Sequence, residues 1–396
     1  MNMSKAADEK RYRDEVREIV ETVVKPRAEQ IDREGAFPRE NLQALAKHGW
    51  NGVLIPEKWG GLGLNHVAFS IAAAEIAKGC ASTALVYVMH VGAAQTIHLY
   101  GNDDQKRRWL EPVQQGLIGT YSTSEKATGG HWWFNLSEAG RDGDEYILNA
   151  EKSFTTSAGQ ANFYVFQTRF PGARKPTDIS FFIIDGKKPG IRPGHWDALG
   201  VRGNHSGPIR YENVRVHACD RLGEEGQGKE IVENGVSPVY LIGLGSAWVG
   251  VAEAALEEAV RYAKGTIHRD FNKRLADYQV IRQELANVKI LLESLKHWQN
   301  HLARELDALQ AEGRPQAELL IPLVEFKVHA AEVASRATQA AMNVSGGYGY
   351  KKGVIERLFR DARAGIVMGP SNHIAREWIG KSLLGLPLEL WFEGGE

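Results

Sequence analysis

The spacing of apolar residues changes twice along the chain and divides it into three parts. Before residue 118, apolar residues recur every three to four positions, as in helices, over 7–32, 38–49, 67–78, 82–100 and 103–115. From about Gly119 to Gly223, short runs alternate apolar and polar residues between turns such as Asp142-Gly143, as strands do. Helical spacing then returns over 246–263, 275–311, 316–344 and 370–384.

This order of elements predicts an α+β protein with three domains. We expect an N-terminal α-helical domain over residues 1–117, a central β-barrel or sandwich-like domain over 118–230, and a C-terminal α-helical domain over 231–396. The long helical segments at the end of the chain predict that the last domain is a four-helix bundle.

Composition narrows the classes of partner that the chain could have. It has 396 residues, 43% of them apolar, and a formal net charge of −1, which favours neither nucleic acid nor an anionic membrane surface. The sequence has no run of about 18 apolar residues and no apolar leader at its start, so no membrane span is predicted. Cys80 and Cys219 are too few for a disulfide framework or a zinc quartet, and we expect a cytoplasmic protein.

Three motifs have simpler explanations than a ligand site. Residues 223–229 have the spacing of a phosphate-binding loop, but Glu230 stands where that loop needs Ser or Thr, which favours an interdomain loop. The glycines within 243–250 lie inside a predicted helix, which favours close helix packing over dinucleotide binding. His297 and His301 share a predicted helix face without a nearby third ligand, so no metal site is predicted.

Three segments rich in glycine and hydroxyl residues remain as candidate ligand loops. Two of them, TYSTSEKATGG (120–130) and KSFTTSAGQANFY (152–164), lie in the predicted β domain. The third, from Ser345 to Arg376, joins a glycine turn, an acid–base run and a helix start. Hydroxyl and backbone N–H groups in such loops suit a planar, hydrogen-bonding ligand that carries phosphates.

Six strings in a fixed order resemble one known family over nearly the whole chain. They are LIPEKWGGLGLN, LYGNDDQKRRWLEPV, TYSTSEKATGG, KSFTTSAGQANFY, LGVRGNHSGPIRYENVRV, and GGYGY followed by RLFRDAR. In this register they resemble the acyl-CoA dehydrogenase family. The resemblance implies a homotetramer with FAD bound between the β domain and the C-terminal helices. It also implies an acyl-CoA or other small-molecule substrate, and an electron-transfer flavoprotein or another acceptor for the electrons.

The resemblance also carries cofactor-binding positions onto this sequence. One group matches the family's flavin loop, the residues flanking the flavin ring and the residues near it in the last helices: Tyr121, Thr123, Ser124, Gly129, Phe154, Thr156, Ser371 and His373. A second group matches positions that reach the adenine and pyrophosphate half of FAD, partly across subunits: His268, Phe271, Gln279, Asn343 and Gly347. Two departures stand out, since His268 replaces an arginine and Gly130-His131 replaces Ser-Asp. The run HWWF (131–134) is bulky for that loop, and it either narrows the pocket or caps the β domain.

The family's catalytic carboxylate has no counterpart at the expected positions. Its usual place, counted back from Ile374, is occupied by Gly369, and the alternative place on an earlier helix, counted from Gly250, is occupied by Tyr240. A tyrosine with a pKa near 10 is a poor base at neutral pH. We therefore consider His90, on a helix whose family counterpart approaches the flavin, and Glu125 as other candidate bases.

Three functions remain open from the sequence. The leading one is α,β-dehydrogenation of an acyl-CoA thioester by an FAD-dependent oxidoreductase with an atypical or absent base. The alternatives are a reduced-flavin-dependent monooxygenase of the same fold and a non-catalytic flavin- or CoA-binding protein.

Overall fold

Six helices build the N-terminal part of the fold. The computed structural model describes residues 3–128, 131 and 133–388. The fourth and fifth helices are buried on nearly every side, because Ala, Val and Ile dominate their sequences all round. The six helices are α1 (Met3–Ile19), α2 (Lys25–Glu34), α3 (Arg39–Lys47), α4 (His66–Gly79), α5 (Ala81–Tyr100) and α6 (Asp103–Trp109).

Two four-stranded sheets form the central domain. One sheet has the order β1-β4-β5-β8, with β1 parallel to β4, and the other has the antiparallel order β2-β3-β7-β6. Residues of β7 alternate between buried and exposed, so one face of the strand packs into the core between the sheets. The strands are β1 (Gly119–Ser122), β2 (Gly140–Asp142), β3 (Glu145–Thr155), β4 (Phe163–Arg169), β5 (Ile179–Asp185), β6 (Ile191–Pro193), β7 (Gly207–His217) and β8 (Arg221–Leu222).

The C-terminal part is a bundle of long helices that shares its core with α4 and α5. The central helices α8 and α10 pack against each other, α9 and α12 flank them, and α13 lies against α10. A short hairpin of β9 (Ile267–His268) and β10 (Lys273–Arg274) separates α8 from α9. The helices are α7 (Gly228–Glu230), α8 (Ser237–Gly265), α9 (Gln279–Glu312), α10 (Leu320–Ser345), α11 (Gly347–Tyr350), α12 (Val354–Val367) and α13 (Asn372–Leu383).

The predicted order of helical, β and helical parts is confirmed, but α12 was not among the predicted helices, and α8 starts earlier than predicted. A helix was predicted over 246–263, whereas α8 begins at Ser237 and continues a helical stretch from Gly228. Its glycines pack as predicted, since a methyl group at Gly250 would overlap the carbonyl oxygen of Ala74. The stretch Gly228–Gly265 is long and apolar enough to cross a membrane by length and composition, but 83% of its most apolar window is buried inside the protein.

Candidate active site

An exposed aromatic ring and a buried hydroxyl cluster mark the end of β3. Phe154 is 69% exposed, although it is a large apolar side chain. Two residues later, the buried Thr156 hydroxyl lies 2.8 Å from the hydroxyl of Ser206. An uncovered apolar ring beside paired hydroxyls offers one flat face and nearby hydrogen-bonding groups. These groups fit one side of a planar, polar ring such as a flavin.

A buried ion pair holds the loop that follows β1. The Lys152 ammonium donates to a Glu125 carboxylate oxygen at 2.9 Å and to the carbonyl oxygens of Thr123 and Gln167 at 3.0 and 2.6 Å. Glu125 also accepts from the hydroxyl and N–H of Ser137. Burial acts to raise the pKa of Glu125, but Lys152 and these donors outweigh it and lower that pKa. Glu125 is therefore a stabilised carboxylate and a weak base.

The same ion pair sets the position of Thr123 and Ser124. The carbonyl oxygen of Thr123 also accepts from the Asn135 side chain at 2.8 Å, and that of Ser124 accepts from the N–H of Ser153 at 2.9 Å. Both residues are half-buried at the mouth of the loop. The predicted cofactor residue Gly129 lies outside the described residues.

Tyr121 and His90 join β1 to the buried helix α5. The Tyr121 hydroxyl lies 2.8 Å from that of Thr96, and its ring covers Gly92, where a methyl group would come within 2.8 Å of it. The His90 ring is fully buried, and its Nδ1 accepts from the N–H of Gly119 at 2.9 Å. Burial lowers the pKa of His90 to about 4, with a backbone interaction opposing it, so the ring is neutral at physiological pH.

The two places expected for the family's carboxylate are in direct contact. The Tyr240 hydroxyl, on α8, donates to the carbonyl oxygen of Gly369 at 2.6 Å. Burial raises the pKa of Tyr240 far above its usual value, so the group remains a protonated donor. Ser371 then precedes α13 and is half-buried, while His373 is exposed in the first turn of that helix.

A buried lysine holds the same segment from the opposite side. The Lys327 ammonium, on α10, donates to the carbonyl oxygens of Met368 and Pro370 at 3.0 and 2.7 Å and to the Asn372 side chain at 3.0 Å. Burial lowers the pKa of Lys327 to about 7. This residue was not predicted from the sequence, although a lysine between the apolar residues Phe326 and Val328 of a predicted helix was a usable signal.

Aromatic side chains bridge the β-domain loop to α13. The ring of Trp133 lies 4.6 Å from that of Trp378 in an edge-to-face arrangement, and His131 stacks on Phe134 at 5.4 Å. Trp133 and Trp378 are both buried. Trp133 thus connects the β-domain loop to the last helix.

The second predicted group of cofactor residues lies on the surface at one end of the bundle. Nδ1 of His268 lies 3.1 Å from the Tyr278 hydroxyl, and Phe271 is 71% exposed at the tip of the hairpin. Gln279 begins α9 as an exposed residue, and Asn343 and Gly347 are exposed near α11. All five positions are therefore on the surface of the single chain. Among the described residues, no group of three or more His, Cys, Asp or Glu side chains could hold a metal ion.

Comparison with known proteins agrees with this architecture. Models of the acyl-CoA dehydrogenase N-terminal, middle and C-terminal domains match residues 6–117, 120–214 and 242–384. The chain is 30% identical to 3-(aryl)acrylate reductase of Clostridium sporogenes, over 93% of this chain and 96% of that protein. It is also 30% identical to the mitochondrial short-chain specific acyl-CoA dehydrogenase of Homo sapiens, over 93% of this chain and 88% of that protein.

Solved structures show the same similarity. Butyryl-CoA dehydrogenase from Megasphaera elsdenii superposes with a TM-score of 0.87 at 28% identity, over 95% of this chain and 98% of that one. A glutaryl-coenzyme A dehydrogenase in complex with glutaryl-CoA superposes with a TM-score of 0.90 at 27% identity, over 100% and 99% of the two chains.

The fold and the site define a flavoprotein oxidoreductase acting on CH–CH groups, a class whose cofactor is FAD. The chain belongs to the acyl-CoA dehydrogenase family.

Proposed function

We propose that this protein binds FAD and catalyses α,β-dehydrogenation of an acyl-CoA thioester without the family's usual carboxylate base. The observation that carries the proposal is the open Phe154 ring beside the buried Thr156–Ser206 hydroxyl pair. The names of similar proteins support the reaction class, because they include acyl-CoA dehydrogenases and reductases of an aryl acrylate and of acryloyl-CoA. All of these reactions change the bond order of a CH–CH unit.

The residues of this chain would hold the cofactor along one side of a cleft. Bound FAD would supply the acceptor for the hydride that leaves the substrate's β carbon. Phe154 would lie against the ring system, and the hydroxyls of Thr156, Thr123 and Ser124 would donate to or accept from its polar edge. The Lys152–Glu125 ion pair keeps Thr123 in place, because Lys152 donates to the Thr123 carbonyl, and the Ser206 hydroxyl lies 2.8 Å from that of Thr156.

The exposed residues at the end of the bundle support a homotetramer. Phe271, Tyr348 and Tyr350 each expose two thirds or more of their surface, at 71%, 67% and 79%. Large apolar side chains grouped in this way are typical of a protein interface. We extend the proposal accordingly: this end of one subunit, with His268 and Gln279, completes the cofactor site of a partner. We further propose an electron-transfer flavoprotein as the acceptor of the electrons.

None of the four candidate residues is a strong base for removing the substrate's α proton. Gly369 has no side chain, and Tyr240 is a protonated donor already bonded to the Gly369 carbonyl. His90 uses Nδ1 to accept from Gly119, and its low pKa makes it a poor base. Glu125 is neutralised by Lys152. Fast turnover should therefore require a substrate whose α C–H bond is already acidic.

The test is an anaerobic titration of the FAD-loaded protein with a panel of acyl-CoAs. Reduction of the flavin is measured as bleaching of its absorbance. We expect slow bleaching by simple saturated acyl-CoAs and faster bleaching by substrates with an activated α proton. Gly369→Glu should raise the slow rate by about 10²–10⁴-fold, the usual contribution of a general base. Gly369→Gln, which has the same size without the carboxylate, is the matched control and should not raise it.

Three results would contradict the proposal. Fast dehydrogenation of saturated acyl-CoAs by the wild type, unchanged in Tyr240→Phe and His90→Ala, would show that a different group is the base. Failure of every acyl-CoA to bind, combined with rapid oxygen consumption by the reduced enzyme, would favour the monooxygenase. Failure to bind FAD in calorimetry would exclude both reactions.

A further inference from the structure

Lys327 is a lysine inside the apolar core of the helical bundle. The residue is 0% exposed, and its neighbours Val324, Phe326 and Val328 along α10 are buried. A buried ammonium is costly unless each of its three N–H groups has an acceptor. The three acceptors found here are neutral oxygens that belong to Met368, Pro370 and Asn372. All of them come from the short segment that joins α12 to the first residue of α13, so the lysine is matched to that segment.

The backbone of this segment is held by side chains. The carbonyl oxygens of Met368 and Pro370 accept from Lys327, and the carbonyl between them, that of Gly369, accepts from the Tyr240 hydroxyl. Three consecutive carbonyls are therefore bound by side chains from two different helices, α8 and α10. Because Met368 caps the C-terminal end of α12, the ammonium also lies where the helix dipole favours a positive charge.

We infer that Lys327 is a positioning residue that fixes segment 368–372, and with it Gly369 and Ser371, relative to the cofactor cleft. The charged form matters, because only an ammonium offers three N–H groups to the three oxygens that surround it. An effect of Lys327 on FAD binding rests on the proposed function. Its effect on the backbone of segment 368–372 does not.

The test compares Lys327→Met, which keeps the length and removes all donors, with Lys327→Gln, which keeps two N–H groups. Gln299→Met is the matched control, since its buried Nε2 donates at 3.0 Å to the Ser70 carbonyl on α4 and not to segment 368–372. We expect Lys327→Met to speed amide hydrogen exchange over 368–373 by about 10-fold or more, the factor for one hydrogen bond to a charged group. Lys327→Gln should fall between it and the wild type.

The flavin supplies a second measurement that general destabilisation does not change. In Lys327→Met the absorbance of bound FAD should move towards that of free FAD, and its dissociation constant should rise by about 10-fold or more. The control should keep the wild-type spectrum and the wild-type exchange over 368–373.

Exchange and spectrum in Lys327→Met that match the control would overturn the inference. If Lys327→Met does not fold, the same two measurements on Lys327→Gln and the wild type test the inference. Exchange and spectrum in Lys327→Gln that match the wild type would then overturn it. If the wild type does not bind FAD, the proposed function fails, and the exchange over 368–373 still decides the role of Lys327.

Discussion

Replacing Lys152 by methionine should lower the free energy of unfolding by about 3–5 kcal/mol at pH 7, the usual loss when one partner of a buried ion pair is removed. The Lys152 side chain is 0% exposed and that of Glu125 is 6% exposed, with 2.9 Å between the charged atoms. At this distance and an effective dielectric constant of about 20, the attraction is about 6 kcal/mol. The Glu125 carboxylate keeps donors from Leu136 and Ser137, which places the loss towards the lower end of the range.

The loss should depend on pH in a direction that the structure fixes. In the wild type the pKa of Glu125 is lowered, so its contribution to stability is present above the ordinary carboxylate pKa and disappears as pH falls through the lowered value. In Lys152→Met burial raises the pKa of Glu125, and protonation then removes the uncompensated charge. The difference between the two proteins should therefore shrink as the pH is lowered towards 4.5.

Urea unfolding of the wild type, Lys152→Met, Glu125→Gln and the double variant measures this coupling. The double variant should lose less than the sum of the single losses, because neither charge is left alone. Lys289→Met is the control: its partner Glu293 is on the surface, and the expected loss is about 0.3–0.5 kcal/mol. A loss below about 1 kcal/mol for Lys152→Met, or additive losses in the double variant, would refute the reasoning.

Three further changes test other parts of the structure. Tyr240→Phe removes the hydroxyl bond to the Gly369 carbonyl and should lower the free energy of unfolding by about 1 kcal/mol in thermal unfolding; an unchanged value would contradict it. Burial raises the pKa of Asp361 to about 6, so the folded state loses stability as pH rises from about 4 to 6. Asp361→Asn, which can still accept from the Val201 N–H, should therefore be more stable by about 1–3 kcal/mol at pH 8 and by less at pH 5 in urea unfolding. Phe271→Asp should reduce the mass measured by light scattering without unfolding the subunit, and an unchanged mass would remove Phe271 from the proposed interface.

The fold was predictable wherever one spacing of apolar residues persists over many positions. The alternation along β7 and the apolar stripe of α9 are of this kind, and both elements were found near their predicted places. The start of α8 was not predicted correctly, because this part of the helix is buried on all sides and its glycines resemble helix breaks. The hairpin β9–β10 has two residues in each strand, too few for any period to show.

The site was predictable only where its residues are close together in the sequence. Hydroxyls and an aromatic ring at the ends of β1 and β3 stand in short strings that the sequence displays directly. The groups that hold those strings in place are distant in sequence, since Lys152 reaches Glu125 across 27 residues and Lys327 reaches Met368 across 41. Such pairs depend on how helices and sheets pack, and no local pattern encodes them.

Two buried lysines hold the backbone of the two candidate cofactor segments. Lys152 holds the loop after β1 through the Thr123 carbonyl, and Lys327 holds the segment before α13 through the carbonyls of Met368 and Pro370. Each lysine donates to two backbone carbonyl oxygens and to one side-chain oxygen, and the Tyr240 hydroxyl donates to the Gly369 carbonyl. These ionisable groups therefore stabilise the shape of the candidate site. Under the proposed function, substrates would be selected by the acidity of their α C–H bond, and residue 369 is the position at which a new carboxylate should change that selection.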